Sequence, residues 1–321
     1  MTQPQYTGIN LQDVNVIFAD QQQLQYPIEI KDGKLDTVSI RGGQVPALKL
    51  TGSTIDQILL TDATIAGDLD LIRTKIGQMD LQNAKVKDIY MSGAQLHGNQ
   101  YDFNGLHVDG VFYFRDVNRV GKNPFQTPPL TIAGITVAKT MEYSPRSENS
   151  THHTYLPTPF ALENTVIGED LYLGNVRTSE GITLNEVKVG RELFIQRMCT
   201  GYFGLTNSEI QTDLNINEIV GMEAASKKYL LIDLKGTTIH GDMNIKLIQN
   251  CYGTGGTVLD LSDFVLEGEF NISPFPSKKY TPKEKEVGER THFKLQGYRT
   301  NTNTRIPASL EKYLSQFPKL E

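Results

Sequence analysis

Apolar residues along most of this chain occur in pairs separated by one polar position, as in the stretch DMNIKL at residues 242–247. Side chains alternate between the two faces of a β-strand, so this pattern is typical of a short strand with one buried face. A first set of such pairs is Val38/Ile40, Ile58/Leu60, Met79/Leu81, Tyr101/Phe103, Leu130/Ile132, Phe160/Leu162, Ile182/Leu184, Phe203/Leu205, Ile232/Leu234 and Leu259/Leu261.

Two further sets follow each first-set pair at nearly constant offsets. About five residues later comes a single apolar anchor: Val45, Ile65, Val86, Val108, Val137, Ile167, Val189, Ile210, Ile239 and Leu266. A third-set pair then follows: Leu48/Leu50, Leu69/Leu71, Ile89/Met91, Phe112/Phe114, Met141/Tyr143, Leu171/Leu173, Leu193/Ile195, Leu214/Ile216, Met243/Ile245 and Phe270/Ile272.

Short strands that repeat at intervals of roughly 20 to 30 residues indicate a solenoid, in which successive coils stack and bury one continuous apolar column. Ile76 lies halfway between the third-set residue Leu71 and the next first-set residue Leu81, which predicts a fourth side. The pattern therefore predicts an all-β fold of about ten stacked coils.

In the first part of this pattern an apolar residue recurs at every fifth position, a five-residue beat whose apolar residues we call centres. Small residues lie two positions before several of its centres, in STI, ATI, AKV and AQL. The centres are Ile30, Leu35, Ile40, Val45, Leu50, Ile55, Leu60 and Ile65, and then, after a slip of one residue, Leu71, Ile76, Leu81, Val86, Met91 and Leu96.

Residues 30–110 thereby resemble pentapeptide-repeat proteins. The Asp or Asn that this family places before the central apolar residue is mostly absent, and residues 114–272 lose the strict beat. The resemblance is that of a degenerate relative, and it implies a right-handed quadrilateral parallel β-helix.

The expected organisation has three parts. Residues 1–30 form an N-terminal cap, residues 31–272 the right-handed β-helix, and residues 273–321 a C-terminal connector and cap or tail. A short helix is expected in PASLEKYLSQF, where Leu310 and Leu314 are four residues apart.

Glycines recur between the second and third sides, where we expect the chain to turn and glycine to permit an unusual φ. They are Gly67, Gly110, Gly168, Gly190, Gly241 and Gly268. An acid often follows, and its carboxylate is expected to accept N–H groups of the turn. These acids are Asp68, Asp170, Glu192, Asp213, Asp242 and Glu269.

Composition restricts the function classes. The chain is 38% hydrophobic and 21% charged, and its net charge of −6 argues against nucleic acid as the main partner. It contains no apolar run long enough to cross a bilayer and no apparent signal peptide, which favours the cytoplasm by default and leaves export as an effector or virion component open. Cys199 and Cys251 do not form a disulfide framework.

The outward residue of each third-side strand gives the main candidate surface. These residues are, in order, Lys49, Asp70, Tyr90, Tyr113, Glu142, Tyr172, Phe194, Asn215, Asn244 and Asn271. The four aromatic residues predict an exposed band that stacks on sugar rings or packs on a partner protein. The alternative is that the band is covered, or that it stabilises the sheet through cross-strand pairs. The three Asn residues predict an amide ladder.

Insertions extend the fourth side at residues 115–129, 144–159, 217–231 and 246–258. Insertions confined to one side of a solenoid favour a binding face, although neutral surface loops are the alternative. Two aromatic residues in these insertions, Tyr155 and Tyr252, join the candidate binding residues.

Candidates for chemistry are weaker. Asp80, Asp102, Asp233 and Asp260 are outward acids of the first side, and Asp233 and Asp260 are the candidate acid–base pair of a sugar-cleaving site. His152 and His153 are candidate metal ligands, but adjacent rings point apart in an extended chain. No cofactor is expected.

The preferred hypothesis is a non-catalytic interaction or scaffold protein that binds a protein or glycan through the aromatic band and the fourth-side loops. The alternative is a β-helix that acts on polysaccharides or binds a receptor. The family resemblance implies a third function, DNA mimicry that inhibits topoisomerases, but Lys85, Lys139, Lys188 and Arg191 interrupt the acids. A homo-oligomer is left open.

Overall fold

The computed structural model describes residues 14–98, 100–119, 130–144, 155–156, 160–178, 181–221, 230–246, 248–250, 257–272, 292–294 and 299–300. Within these ranges the regular secondary structure is entirely β-strand. The strand pairs of the described residues are parallel, and within each unit the partners lie 20 to 34 residues apart, as in Lys34 with Thr54 and Leu259 with Phe293. The predicted all-β class is confirmed.

The chain divides into two compact units. The first comprises Met1–Pro128 and Ile132–Ser147, and the second Pro129–Thr131 and Glu148–Glu321. The first contains β1 (Val14–Ile17), β2 (Ile28–Glu29), β3 (Lys34–Ser39), β4 (Gln44–Val45), β5 (Leu48–Lys49), β6 (Thr54–Leu59), β7 (Thr64–Asp70), β8 (Lys75–Asp80), β9 (Lys85–Tyr90), β10 (Gln95–Leu96), β11 (Tyr101–Asp102), β12 (His107–Val108), β13 (Phe112–Arg115) and β14 (Asn118–Arg119); β15 (Leu130–Ala133) spans the division, and β16 (Thr136–Val137) and β17 (Met141–Ser144) complete the first unit.

The strands of the first unit form parallel series. One series runs β1, β3, β6, β8, β10 and β14, with β11 also paired to β8. Another runs β2, β5, β7, β9, β13 and β17, with β4 paired to β7 and β12 paired to both β9 and β16.

The second unit contains β18 (Tyr155–Leu156), β19 (Phe160–Ile167), β20 (Leu171–Gly174), β21 (Arg177–Thr178), β22 (Ile182–Val189), β23 (Leu193–Gln196), β24 (Met198–Thr200), β25 (Tyr202–Thr206), β26 (Glu209–Ile210), β27 (Leu214–Ile216), β28 (Ile219–Gly221), β29 (Leu230–Asp233), β30 (Thr238–Ile239), β31 (Met243–Ile245), β32 (Ile248–Asn250), β33 (Thr257–Asp260), β34 (Val265–Leu266), β35 (Phe270–Ile272), β36 (His292–Lys294) and β37 (Arg299–Thr300).

Four parallel series organise this unit. They are β19-β22-β25-β29-β33-β36, β22-β26-β30-β34-β37, β20-β23-β27-β31-β35 and β18-β21-β24-β28-β32. The strands of the last series lie in or near the segments expected to form a fourth side, and most of the inserted residues of those segments lie outside the described part of the chain.

The predicted apolar positions form the core. Every second-set anchor from Val45 to Leu266 is at most 1% exposed, and Ile55 and Ile76 are equally buried on the side between the third and first sets. Tyr101 differs from the prediction because it is only half-buried. Its hydroxyl donates to the Ile76 carbonyl at 3.2 Å and accepts from the Gly98 N–H at 2.8 Å, so its polar end is bonded to backbone groups.

The small residues that lie two positions before the centres of the five-residue beat are also buried. Ser53, Ala63, Ala84 and Ala94 are 0% exposed. Where this position carries a hydroxyl, as at Thr237, the hydroxyl donates to a buried carbonyl, here that of Leu205 at 2.7 Å. A buried hydroxyl needs such a partner because its desolvation otherwise costs free energy.

The reason expected for the recurrent glycines is wrong. None of them has a positive φ. At Gly67 the close approach of a neighbouring backbone segment requires glycine instead, because a Cβ there would lie 2.6 Å from the carbonyl oxygen of Pro46. The same kind of collision with backbone would occur at Gly190, Gly241 and Gly268.

Positive φ occurs instead at the third residue of β-turns. In the turn at residues 60–63, Ala63 N–H donates to Leu60 O at 3.0 Å and Asp62 has a φ of 57°. The same turn position carries Gly52, Arg73, Asn83, Gly93, Gly105, Gly236 and Asp263. These turns therefore use the left-handed conformation with or without glycine.

Both ends of the expected β-helix continue its strand pairing. In the expected cap, β1 pairs with β3 and β2 with β5. In the expected connector, β36 pairs with β33 and β37 with β34. Residues 1–13 and the segment expected to form a helix lie outside the described residues.

Candidate functional site: an outward column of aromatic and amide side chains

Two aromatic residues of the expected band meet in the first unit. Tyr90 and Tyr113 are register partners on β9 and β13, and their ring centroids lie 5.8 Å apart at an interplanar angle of 48°. The Arg115 guanidinium lies 4.4 Å from the Tyr113 centroid and contacts Glu142 at 2.5 Å. Part of the Tyr113 ring is therefore covered by the Arg115 guanidinium, which forms an ion pair with Glu142.

The environment of Tyr90 raises its pKa. Burial is the largest cause, and the neighbouring carboxylate of Asp88 is the next. Both effects disfavour the phenolate.

The other two aromatic residues meet in the second unit. Tyr172 and Phe194 are register partners on β20 and β23, with centroids 5.4 Å apart and an interplanar angle of 13°. The Tyr172 hydroxyl donates to Gln196 Oε1 at 2.5 Å. Its Cε1 lies 2.5 Å from where a Cβ on Gly174 would be, so the ring extends across that glycine. Both rings are half-buried.

The predicted amide ladder continues the same outward position and is confirmed. Asn215, Asn244 and Asn271 are successive register partners on β27, β31 and β35, and Asn215 follows Phe194. Asn244 Nδ2 donates to Asn215 Oδ1 at 2.9 Å, and Asn271 Nδ2 donates to Asn244 Oδ1 at 3.0 Å. We call this set, Tyr172, Phe194, Asn215, Asn244 and Asn271, the aromatic–amide column.

A second column runs beside it, two positions earlier in each strand segment. It consists of Asp170, Glu192, Asp213, Asp242 and Glu269, and we call it the carboxylate column. The expectation that these acids accept turn N–H groups is confirmed for Asp170, Asp213 and Asp242. Asp170 Oδ1 accepts Glu192 N–H at 3.3 Å, and the Oδ1 atoms of Asp213 and Asp242 accept the N–H groups of Asp242 and Glu269, both at 2.7 Å. Glu192 instead accepts from the amide of Asn215.

One member of the carboxylate column has a counter-ion. Arg191 Nε donates to Asp170 Oδ1 at 2.6 Å, and a second guanidinium nitrogen contacts Oδ2. The hydrogen bond from Arg191 is the largest cause of the lowered pKa of Asp170. The pair is exposed to solvent, so its attraction is screened.

The candidate catalytic acids, Asp233 and Asp260, lie side by side, but their carboxylates accept hydrogen bonds within turns. Asp233 and Asp260 are register partners on β29 and β33. Asp233 Oδ1 accepts Lys235 N–H at 3.1 Å, and Asp260 Oδ1 accepts both the N–H of Ser262 at 3.1 Å and its hydroxyl at 2.6 Å. Asp80 and Asp102 repeat this geometry, accepting the N–H groups of Gln82 and Asn104 at 2.9 Å.

Two arrangements were missed by the sequence analysis. Tyr202 on β25 donates to Asp233, and burial, followed by that carboxylate, raises the pKa of Tyr202 to about 12. His240 lies between Glu209 and Glu267 in the β26-β30-β34 series. Comparing the residues after the second-set anchors, Gln211, His240 and Glu267, would have placed His240 beside Glu267, whereas Glu209 precedes its anchor Ile210.

The remaining candidates are not located by the structure. Tyr155 belongs to β18, where its backbone is the register partner of Arg177, but its side chain is not described. Tyr252, His152 and His153 lie outside the described residues. In the part of the chain that is described, His, Cys, Asp and Glu side chains form no group of three or more that could hold a metal ion.

No protein-family model, no curated protein and no solved structure matches this chain. The described residues contain no helix of the length and hydrophobicity that a membrane span requires.

Proposed function

We propose that the chain folds as a right-handed quadrilateral β-helix of the degenerate pentapeptide-repeat type. The buried five-residue centres support this proposal, as does the parallel pairing of strands that lie one repeat apart in sequence. Where the residues between paired strands are described, their regular structure consists of strands of other series, whereas the crossovers of most parallel sheets are helical. The four series of the second unit correspond to the four sides of such a helix.

We further propose that the protein is a non-catalytic interaction protein that binds its partner through the outward aromatic residues. The observation that carries this proposal is the placement of Tyr172 and Phe194 in contact, half-buried, at a solvent-facing position of consecutive strands. Aromatic side chains at a surface supply apolar area that binding can bury, with little loss of side-chain freedom.

The acid pair supports this proposal over the catalytic alternative. Each acid of a glycosidase pair needs its own role, one as proton donor and the other as base or nucleophile. Asp233 and Asp260 instead share a structural contact, because each accepts the N–H two residues further along the chain. Asp80 and Asp102 in the first unit do the same, which favours a structural function that repeats along the chain.

The test is to expose the purified protein to a random-peptide phage library and to a glycan array. The variant Tyr172→Ala/Phe194→Ala is compared with the wild type, and Tyr26→Ala, which removes an aromatic residue that is 50% exposed elsewhere, is the matched control. We expect ligands whose affinity falls at least about tenfold in the double variant and is unchanged in the control. Ligands bound equally by all three proteins, or no ligands at all, would contradict the proposal.

A further inference from the structure

The chemistry of the aromatic–amide column identifies a ligand class. We propose that this column binds a neutral glycan laid across β20, β23, β27, β31 and β35. The inference rests on the proposed binding function and names its partner. It is carried by three properties of the column: leftover amide hydrogen-bonding capacity, an aromatic pair at one end, and negative charge alongside.

The amides retain groups that suit sugar hydroxyls. An Asn side chain has two N–H donors and a carbonyl oxygen with two lone pairs. Asn244 uses one N–H toward Asn215 and one lone pair for Asn271. One donor and one acceptor therefore remain on Asn244, and the same count holds for Asn215. A hydroxyl both donates and accepts, so it matches this pair of groups.

The spacing of these groups is regular because the ladder fixes each amide. Neighbouring strands lie about 4.8 Å apart, so donor and acceptor pairs recur at that interval along the column. A polymer of similar sugar units offers recurrent hydroxyls, whereas a peptide strand offers its polar groups in an alternating pattern. The ladder also lowers the entropic cost of binding, since its side chains are already ordered.

The aromatic pair at the other end of the column is held in position. Tyr172 is anchored by Gln196 at its hydroxyl and extends across Gly174, while Phe194 packs against its ring. Rings held in this way offer apolar surface to the C–H groups of a sugar without first being ordered. The column therefore combines apolar and amide contacts along a single line.

Charge selects between kinds of glycan. The aromatic–amide column itself is uncharged, but the carboxylate column runs beside it. Asp213 and Asp242 accept neighbouring backbone N–H groups, and neither forms an ion pair with a basic side chain of the described residues. Arg191 forms an ion pair with Asp170, at one end of the carboxylate column. Acidic polysaccharides would be repelled by this arrangement, and a neutral polymer would not.

The experiment is affinity electrophoresis of the full chain in gels that contain a neutral polysaccharide (xylan, mixed-linkage β-glucan or starch) or an acidic one (alginate or polygalacturonate). We expect retardation by at least one neutral polymer and by neither acidic polymer. Phe194→Ala and Asn244→Ala should each raise the dissociation constant measured from that retardation at least about tenfold. The matched control is Gln57→Ala, which removes one member of an amide pair in the first unit, where Gln57 Nε2 lies 3.5 Å from Gln78 Oε1.

A charge variant tests the selectivity separately. Asp213→Asn/Asp242→Asn removes two negative charges and keeps an oxygen to accept each backbone N–H. It should retain neutral binding and gain measurable retardation by the acidic polymers, with thermal unfolding confirming that every variant is folded.

The outcomes separate the two proposals. Failure of all neutral polymers to retard the wild type, or equal retardation of Asn244→Ala, overturns the glycan inference. If peptides from the phage library bind and depend on Tyr172 and Phe194, the interaction function still stands. If no peptide or glycan depends on those two residues, both proposals fall.

Discussion

His240 Nδ1 lies 2.9 Å from Glu267 Oε2, and its other ring nitrogen lies 3.3 Å from Glu209 Oε1. Only the protonated ring has N–H donors on both nitrogens, so only that form satisfies both carboxylates. Lys188 lies 3.8 Å from the second oxygen of Glu209, and Gln211 donates to the first at 2.8 Å. The hydrogen bond to Glu267 is the largest cause of the raised pKa of His240.

This contact predicts a pH dependence of stability. Because the pKa of His240 is raised in the folded state, its contribution is complete below the ordinary value of 6.5 and is lost as pH rises through the folded pKa. The thermal midpoint of wild type minus that of His240→Gln should therefore be larger at about pH 6 than at about pH 9. A difference that is constant over this range would refute the bridge.

Tyr202 gives a prediction at alkaline pH. Burial and Asp233 raise its pKa to about 12, so an unfolded chain, with Tyr202 near 10.0, loses this proton first. Stability should decline as pH rises from the unfolded toward the folded pKa. Tyrosinate absorbance should show a group titrating near 12 that is missing in Tyr202→Phe and shifted downward in Asp233→Asn. Identical titrations of the three proteins would show that Tyr202 is not perturbed.

Close backbone approach predicts the effect of a single methyl group. In Gly67→Ala the new Cβ would lie 2.6 Å from Pro46 O, and main-chain atoms must move to admit it. We expect a loss of about 1–3 kcal/mol in the free energy of unfolding, measured in urea. The contrasting variant is Arg73→Gly, at a turn residue with a φ of 55°. It should be neutral or stabilising by up to about 1 kcal/mol. An unchanged free energy of unfolding in Gly67→Ala would mean that the backbone segments at Gly67 and Pro46 move apart at little cost.

The turn-holding function of the outward acids predicts a difference between two replacements. Asp233→Ala removes the acceptor for Lys235 N–H and should cost about 1 kcal/mol of unfolding free energy. Asp233→Asn retains an acceptor oxygen and should cost much less. Urea unfolding of both variants, with the same pair made at Asp260, measures the difference. Equal costs for Ala and Asn would favour an electrostatic function for these carboxylates.

The core could be predicted from the sequence because it depends on periodicity. An apolar residue on a five-residue beat returns to the same inward position, so Ile55 and Ile76 were placed correctly without any knowledge of distances. The reason for Gly67 could not be predicted in this way. It depends on how closely the Pro46 carbonyl approaches, which is a property of two strands together.

The candidate site could be predicted only where the residues at one outward position were compared along a whole series of strands. Doing so for the third side gave the amide ladder, with Asn215 and Asn244 bonded as expected. The same reading was not applied after the second-set anchors, where His240 and Glu267 meet. Ring contacts such as that of Arg115 with Tyr113 depend on rotamers, which periodicity does not specify.

The in-register pairing of the second unit has a consequence for how such a gene changes length. Ile182 pairs with Phe203, and Leu193 pairs with Leu214, at the same offset along the chain. A tandem duplication of residues 182–202 would therefore add one strand to each of these series at once. The new copies would keep the register in which Ile182 pairs with Phe203 and Leu193 with Leu214. Insertions and losses of whole repeats should be tolerated far better than those of a few residues, so lengths among descendants of this gene are expected to differ in steps.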